Sequence, residues 1–149
     1  MLRPLLLSTV AATALTGVGG LGPLPPLPLL SGSDAVTSLT VAIEKSGHAE
    51  ADGTFRLECD GATPAQGTPG STHPAAANAC KRLDQLAQSG TDPFAPVPAD
   101  GFCTQQYGGP ATARISGTWQ GRRVDAGFSR ANGCEIDRWE NLRPVLPRV

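Results

Sequence analysis

Apolar residues occupy every second position in several stretches of the chain, which is the pattern of strands with one buried face. The stretches 39–44 and 54–60 alternate in this way. Two more, 113–119 and 123–128, flank a turn near Gln120-Gly121 and are predicted to pair as an antiparallel hairpin. One face of that hairpin is predicted to carry Ile115, Gly117, Trp119, Val124, Ala126 and Phe128. The pattern therefore predicts four half-buried strands.

Between the strand pairs the hydrophobic period changes to 3.6 residues, which predicts a helix. Its apolar positions are Ala76, Ala79, Cys80, Leu83, Leu86 and Ala87. Thr72 or His73 is the expected N-cap with Pro74 in the first turn, and Gly90 is suited to end the helix. A second short helix is predicted over 135–141. The expected fold class is α+β, a small antiparallel sheet of about four to five strands with two helices packed on it.

The composition favours a small, loop-rich domain. The 149 residues are the size of one domain, and 18 Gly with 14 Pro disfavour long helical bundles. The net charge of -1 provides no electrostatic footprint for nucleic acid, and 5% aromatic residues are too few for a large aromatic core. We therefore expect no nucleic-acid partner, and a source of stability beyond the hydrophobic core.

The N-terminal 33 residues have the composition of an export signal followed by a Pro/Gly-rich leader. After Arg3 no charge occurs up to Ser33, and the apolar stretch 5–15 is too short to span a bilayer. Cleavage after an A-x-A pattern at 12–14 and cleavage around 30–35 both remain open. The alternative, an uncleaved anchor, is disfavoured by the glycines and prolines that follow. We predict a secreted protein whose folded domain spans 34–149, with no membrane association after signal removal.

Four cysteines, at positions 59, 80, 103 and 134, form an even set in a chain predicted to be exported. A disulfide framework is the expected arrangement, and the three possible pairings remain open at this point. Zinc is disfavoured because its sites usually draw ligands from short C-x-x-C knuckles, and no such pair occurs here. No metal or cofactor is expected.

The inventory of reactive side chains argues against an enzyme. His48 lies in a polar stretch and His73 precedes Pro74, where it is predicted to belong to the helix start. Neither is accompanied by a G-x-S-x-G elbow, an H-E-x-x-H pair or a P-loop. A small secreted hydrolase would need a nucleophile and a base that the sequence does not offer. We predict that the protein is not an enzyme.

The segment 101–110 is the most informative part of the chain. It reads Gly-Phe-Cys-Thr-Gln-Gln-Tyr-Gly-Gly-Pro, has no strong periodicity, contains a disulfide candidate and ends at a proline. An exposed loop held at both ends is suited to binding, whereas the alternative is a mere connection between elements.

At this point the chain resembles the Streptomyces subtilisin inhibitor family of secreted proteinase inhibitors. The resemblance covers about residues 36–138. The matching motifs are Leu57-Glu-Cys59, Gly70-Ser-Thr-His-Pro74 with Ala79-Cys80, Cys103 through Tyr107, Gly117-Thr-Trp-Gln-Gly-Arg-Arg-Val124, and Asn132-Gly-Cys-Glu135.

The resemblance implies a substrate-like inhibitor of subtilisin-like serine proteinases. It implies disulfides Cys59–Cys80 and Cys103–Cys134, and a scissile bond between Gln105 and Gln106. Gln105 would be P1, the residue that enters the proteinase's main specificity pocket. The remaining implied roles are P2 for Thr104, P3 for Cys103, the leaving side for Gln106, Tyr107 and Gly108, and loop support through a hydrogen bond for Asn132. Family members are typically homodimers that pack sheet against sheet and use no metal or cofactor.

Three features depart from the family pattern. Gln105 stands where the family usually has Met, Lys or another long side chain, so trypsin is expected to be a poor target. Gly108-Gly109 adds one residue before Pro110, which is expected to loosen the loop. The prolines of 142–149 make a final central strand improbable. The alternative function is therefore a secreted, disulfide-stabilised interaction module on this scaffold that has lost inhibition.

Overall fold

The computed structural model describes residues 36–66 and 70–149, and the predicted signal and leader of 1–33 lie outside them. A five-stranded sheet with the order β3-β2-β1-β4-β5 is antiparallel at every pairing. The strands are β1 Thr37–Glu44, β2 Gly53–Asp60, β3 Thr63–Pro64, β4 Thr112–Trp119 and β5 Arg122–Phe128, and the helices are α1 Ala76–Gln88 and α2 Gly133–Asn141. The predicted α+β fold class is confirmed. Within the described ranges no helix is long and apolar enough to cross a membrane.

Strand β1 lies at the centre of the sheet and sets the register of both halves. Leu39 stands opposite Leu57 on one side and Gly117 on the other. Gly117 has φ +134°, and a Cβ there would collide with the Ser38 carbonyl oxygen, so this close approach of two strands requires glycine. The predicted hairpin is confirmed, and its inner face buries Ile115, Trp119, Val124, Ala126 and Phe128.

Helix α1 covers the sheet with the predicted apolar stripe but begins later than expected. Its N-cap is Ala75, which makes no side-chain capping bond, so the prediction of Thr72 or His73 as cap was wrong. The backbone N–H groups of both residues donate to the Arg56 carbonyl, at 2.9 and 3.0 Å, which keeps the chain attached to β2. The helix can start only after that attachment ends. Its C-terminus is as predicted, with Gly90 at φ +70°.

The Cys59–Cys80 disulfide joins β2 to α1 across the core, with the two Cα atoms 5.6 Å apart. Both cysteines are buried. This pairing confirms the first of the two implied by the family resemblance.

The C-terminal segment fills the core instead of extending the sheet. Leu142, Val145 and Leu146 are fully buried, and Trp139 of α2 donates from Nε1 to the Pro147 carbonyl at 2.9 Å. No strand occurs in 142–149, as the two prolines predicted. The apolar side chains of this segment therefore form part of the core, and the segment is bonded to α2 through Trp139.

Candidate functional site

Residues 101–109 form a loop without helix or strand between α1 and β4. Phe102 is fully exposed, and Tyr107 is 68% exposed. Gln105 and Gln106 between them are exposed as well, and neither side chain makes a hydrogen bond to any described residue. The loop therefore presents an aromatic side chain on either side of two unpaired glutamines.

A disulfide fixes the N-terminal side of this loop. Cys103 is bonded to Cys134 in the first turn of α2, with the two Cα atoms 5.3 Å apart. This is the second pairing implied by the family resemblance, and it is confirmed. Because α2 is held to the core by the buried Trp139, the disulfide connects the loop to a fixed part of the domain.

The start of α2 supports the next residue of the loop. The first N–H groups of a helix have no partner within the helix. Here the N–H of Gly133, the first residue of α2, donates to the Thr104 carbonyl at 3.1 Å. A Cβ on Gly133 would overlap the Thr104 Oγ1 atom. Thr104 therefore lies directly on the helix end, in space that only glycine leaves open.

Asn132, the predicted loop support, lies at the start of α2. Its Oδ1 accepts a hydrogen bond from the Glu135 N–H at 3.0 Å, which makes it the N-cap of α2. Among the described residues its side chain makes no hydrogen bond to the loop backbone. The cap starts α2 at Gly133, two residues earlier than predicted, and so places the Gly133 N–H beneath Thr104.

The C-terminal side of the loop is held by Arg130. The Gly108 N–H donates to the Arg130 carbonyl at 2.8 Å, and the Arg130 Nε donates back to the Gly108 carbonyl at 2.9 Å. A Cβ on Gly108 would lie only 2.9 Å from Ile136 Cγ1. The additional glycine before Pro110 was expected to loosen the loop. The two hydrogen bonds to the Gly108 backbone oppose this loosening.

Arg130 is itself fixed by its surroundings. Its side chain is 10% exposed and forms an ion pair with Glu140 at 2.8 Å. Its guanidinium lies 5.9 Å from the centre of the Trp139 ring. Hydrogen bonds from Arg143 and Arg130 hold the pKa of the Glu140 carboxyl below its ordinary value, against the opposing effect of partial burial. The carboxylate consequently stays ionised and retains Arg130.

Sequence reasoning missed three residues of this site. Phe102 was not singled out because a phenylalanine in a sequence is usually predicted to be buried. Gly133 was quoted only as part of a motif, and Arg130 not at all, since neither contact is visible before the loop and α2 are brought together. The nearest signal was Gly133 itself, a glycine directly before a cysteine of the framework.

His73 lies away from the loop and has a structural role. Its Nε2 is 2.9 Å from the Val145 carbonyl, and its Nδ1 accepts from the Ala75 N–H at 3.1 Å. Burial lowers the pKa of the ring, although the contact to Val145 acts in the opposite direction. The neutral ring therefore joins the start of α1 to the C-terminal segment. No group of three or more potential metal ligands occurs in the described part of the chain.

The fold and the site together define a small disulfide-bonded domain that presents one exposed loop anchored on both sides. Residues 34–132 match the model of the subtilisin inhibitor-like family. The chain belongs to this family, which confirms the predicted resemblance.

Curated relatives from several Streptomyces species are similar to the chain. The protease inhibitor SIL-V2 of Streptomyces orinoci is 36% identical over 67 residues, which are 45% of this chain and 60% of that relative. The subtilisin inhibitor-like protein 2 of Streptomyces rochei is 42% identical over 64 residues, 42% of this chain and 53% of that protein. The match thus spans less than two thirds of these relatives. Their names are those of inhibitors and not of enzymes, in agreement with the prediction.

Among solved structures, the chain is similar to Streptomyces caespitosus sermetstatin in its complex with Bacillus licheniformis subtilisin. The identity is 21%, the TM-score is 0.39, and the overlap covers 72% of this chain and 92% of the other.

Proposed function

We propose that this protein inhibits subtilisin-like serine proteinases, and that the bond presented to the proteinase is Gln105–Gln106. The observation that carries the proposal is the exposed glutamine pair between two anchors. Cys103 and Thr104 are held to α2 on one side, and Gly108 is held by Arg130 on the other. Membership of the subtilisin inhibitor-like family supports the choice of target class.

The anchors explain why such a loop would bind tightly. A proteinase takes an extended peptide by pairing with its backbone. A flexible peptide loses conformational entropy when it is ordered in this way, at about 0.5–1.5 kcal/mol for each side chain that is immobilised. A loop whose backbone is already held by a disulfide, two backbone–backbone hydrogen bonds and one hydrogen bond from the Arg130 side chain loses less. Because less conformational entropy is lost, the free energy of binding is more favourable.

The side chains of the loop define the expected specificity. Gln105 at P1 is long but uncharged, so it lacks the charge that an acidic S1 pocket requires. Burying its amide without a partner would cost about 1–3 kcal/mol, which a broad apolar pocket offsets only in part. Phe102 exposes its whole ring, and transfer of that ring into an apolar pocket would contribute about 2 kcal/mol.

The proposal includes export of the protein. Residues 1–33 would serve as signal peptide and leader, and 34–149 would form the extracellular domain. Both disulfides agree with this, since such bonds persist in oxidising compartments.

The homodimer implied by the family resemblance remains a prediction. A sheet-to-sheet dimer would use the outer face of the sheet, which carries Thr40, Arg56, Arg114 and Asp125. Arg114 and Asp125 form an exposed ion pair at 2.7 Å on this face. A dimer through such a polar surface would be sensitive to salt, which sedimentation at low and high ionic strength would reveal.

Titration of subtilisin with the oxidised protein tests the main proposal. We expect stoichiometric loss of activity and a complex that survives gel filtration, with any slow cut located after Gln105 by mass spectrometry. Absence of inhibition at micromolar concentration would refute the function. A rapid cut after Gln105 without a lasting complex would instead favour the alternative, an interaction module that has lost inhibition.

A further inference from the structure

We propose that Arg130 is a positioning residue that retains the leaving side of the loop after Gln105–Gln106 is cut, and so keeps the inhibitor intact at equilibrium. This inference rests on the proposed function. Its basis is the pair of hydrogen bonds between Arg130 and Gly108, at 2.8 and 2.9 Å, which lie on the side of the bond that the disulfide cannot hold.

The reaction defines what must be retained. The proteinase serine adds to the Gln105 carbonyl carbon, the C–N bond to Gln106 breaks, and a proton moves to the Gln106 nitrogen, which becomes a free amine. Water then releases Gln105 as a carboxylic acid and restores the serine. If the amine attacks the acyl carbon first, the peptide bond forms again and the serine is released without water. The outcome depends on how long the amine stays nearby.

Gly108 is two residues beyond the new amine. Two extended residues span about 7 Å, so an anchored Gly108 confines the amine to a small volume. Confinement of this kind raises the effective concentration of a reactant by orders of magnitude. The disulfide confines the acyl side in the same way through Cys103. Arg130 supplies the matching constraint on the other fragment.

The anchor has little freedom to move. Arg130 is paired with Glu140, lies beside Trp139 and is almost entirely buried. Gly108 packs closely against Ile136, since a Cβ added to Gly108 would lie 2.9 Å from Ile136 Cγ1. Release of the cleaved strand would therefore need both hydrogen bonds to break in a packed environment. The Arg130 side chain therefore holds the loop in addition to pairing with Glu140.

The test compares Arg130→Ala and Arg130→Lys with a matched control, Arg143→Ala. Within the described part of the chain, the Arg143 side chain also pairs with Glu140, at 2.7 Å, and makes no hydrogen bond to the loop. Two mixtures are prepared for each oxidised variant, one from the intact and one from the cleaved protein, and each is incubated with a catalytic amount of subtilisin. Equilibrium is reached when both mixtures contain the same proportion of cleaved protein. Mass spectrometry then measures the ratio of cleaved to intact protein. Melting temperatures verify that each variant is folded.

We expect Arg130→Ala to raise the ratio of cleaved to intact protein by about tenfold, the effect of losing one charge-assisted hydrogen bond. Arg130→Lys retains the charge beside Glu140 but not the Nε donor, so it should recover the melting temperature without recovering the ratio. Arg143→Ala should leave the ratio unchanged. Equal ratios in Arg130→Ala and Arg143→Ala would overturn the inference.

A second measurement separates this inference from the proposed function. Hydrogen exchange of the Gly108 amide reports the anchor without any proteinase. The Gly108 N–H donates to the Arg130 backbone carbonyl, which every variant keeps, so its exchange reports whether the Arg130 side chain holds this segment in place. We expect slow exchange in the parent protein and in Arg143→Ala, and faster exchange in both Arg130 variants. If subtilisin is not inhibited but the exchange follows this order, the proposed function fails while the anchor stands. If exchange at Gly108 is the same in all four proteins, the anchor is wrong even where inhibition is observed.

Discussion

The backbone N–H of Gly133 supports the carbonyl of Thr104, and the absence of a Cβ on Gly133 leaves the space that the Thr104 hydroxyl occupies. This relationship joins the first residue of a helix to the residue that precedes Gln105 of the proposed reactive bond. It makes the shape of the loop depend on a glycine, through its N–H group and through its lack of a side chain.

Gly133→Ala should therefore displace the loop while leaving the domain folded. The added Cβ overlaps Thr104 Oγ1, and overpacking of this kind typically costs about 1–3 kcal/mol. We expect the affinity for subtilisin to fall by about tenfold or more, as measured by inhibition titration. Gly127→Ala is the matched control, because nothing lies within 4 Å of a Cβ there. Unchanged inhibition by Gly133→Ala would contradict this account of the support.

Removal of the Phe102 ring should weaken binding without affecting stability. The ring is fully exposed in the free protein, so its truncation removes no internal packing. If it is buried in the complex, Phe102→Ala loses about 2 kcal/mol of binding free energy, or roughly thirtyfold in the inhibition constant. Val36→Ala, at another exposed apolar residue, should have no effect. An inhibition constant equal to that of the parent would show that the proteinase does not bury this ring.

Gln105→Lys should add trypsin inhibition to the protein's activity. The substitution supplies the positive charge that pairs with an acidic S1 pocket, and the exposed position tolerates it. Inhibition assays with trypsin before and after the change measure the gain. Gln85→Lys, an exposed position on α1, controls for the added charge. The assignment of Gln105 to P1 would be withdrawn if trypsin inhibition did not appear.

The two disulfides should have separable roles. Cys103→Ala with Cys134→Ala frees the loop, so we expect faster cleavage after Gln105 and only transient inhibition. Cys59→Ala with Cys80→Ala removes a link across the core and should lower the free energy of unfolding by ~3 kcal/mol. Calorimetry and timed inhibition assays measure the two effects. The division of roles fails if the first double variant inhibits as durably as the parent.

Stability should decrease in mildly acidic solution because of His73. Burial lowers the pKa of the folded ring below the ordinary value of 6.5, so the unfolded chain takes up the proton first. The contribution of neutral His73 is complete above pH 6.5 and is lost as the pH falls from there toward the folded pKa. Melting temperatures at pH 7 and pH 5.5 measure this loss. His73→Gln should abolish it and exposed His48→Gln should not; an identical profile in all three would refute it.

The regular elements were largely predictable because each has one buried face. Period-two and period-3.6 patterns located β1, β2, the β4–β5 hairpin and α1 close to their observed bounds. Errors occurred where a long-range contact overrides local preference. Thr72 and His73 have the residue types of a helix start, but their N–H groups pair with Arg56, sixteen or more positions away. No local pattern contains that pairing.

The candidate site divides in the same way. The sequence by itself determined which residues stand in the loop, that one of them is a cysteine of the expected disulfide framework, and which family the chain resembles. These conclusions depend only on residue types and their spacing. Only the tertiary structure decided how the loop is held. Gly133 beneath Thr104 and Arg130 around Gly108 are contacts between segments more than twenty positions apart, and they depend on where α2 starts and on how it packs against the core.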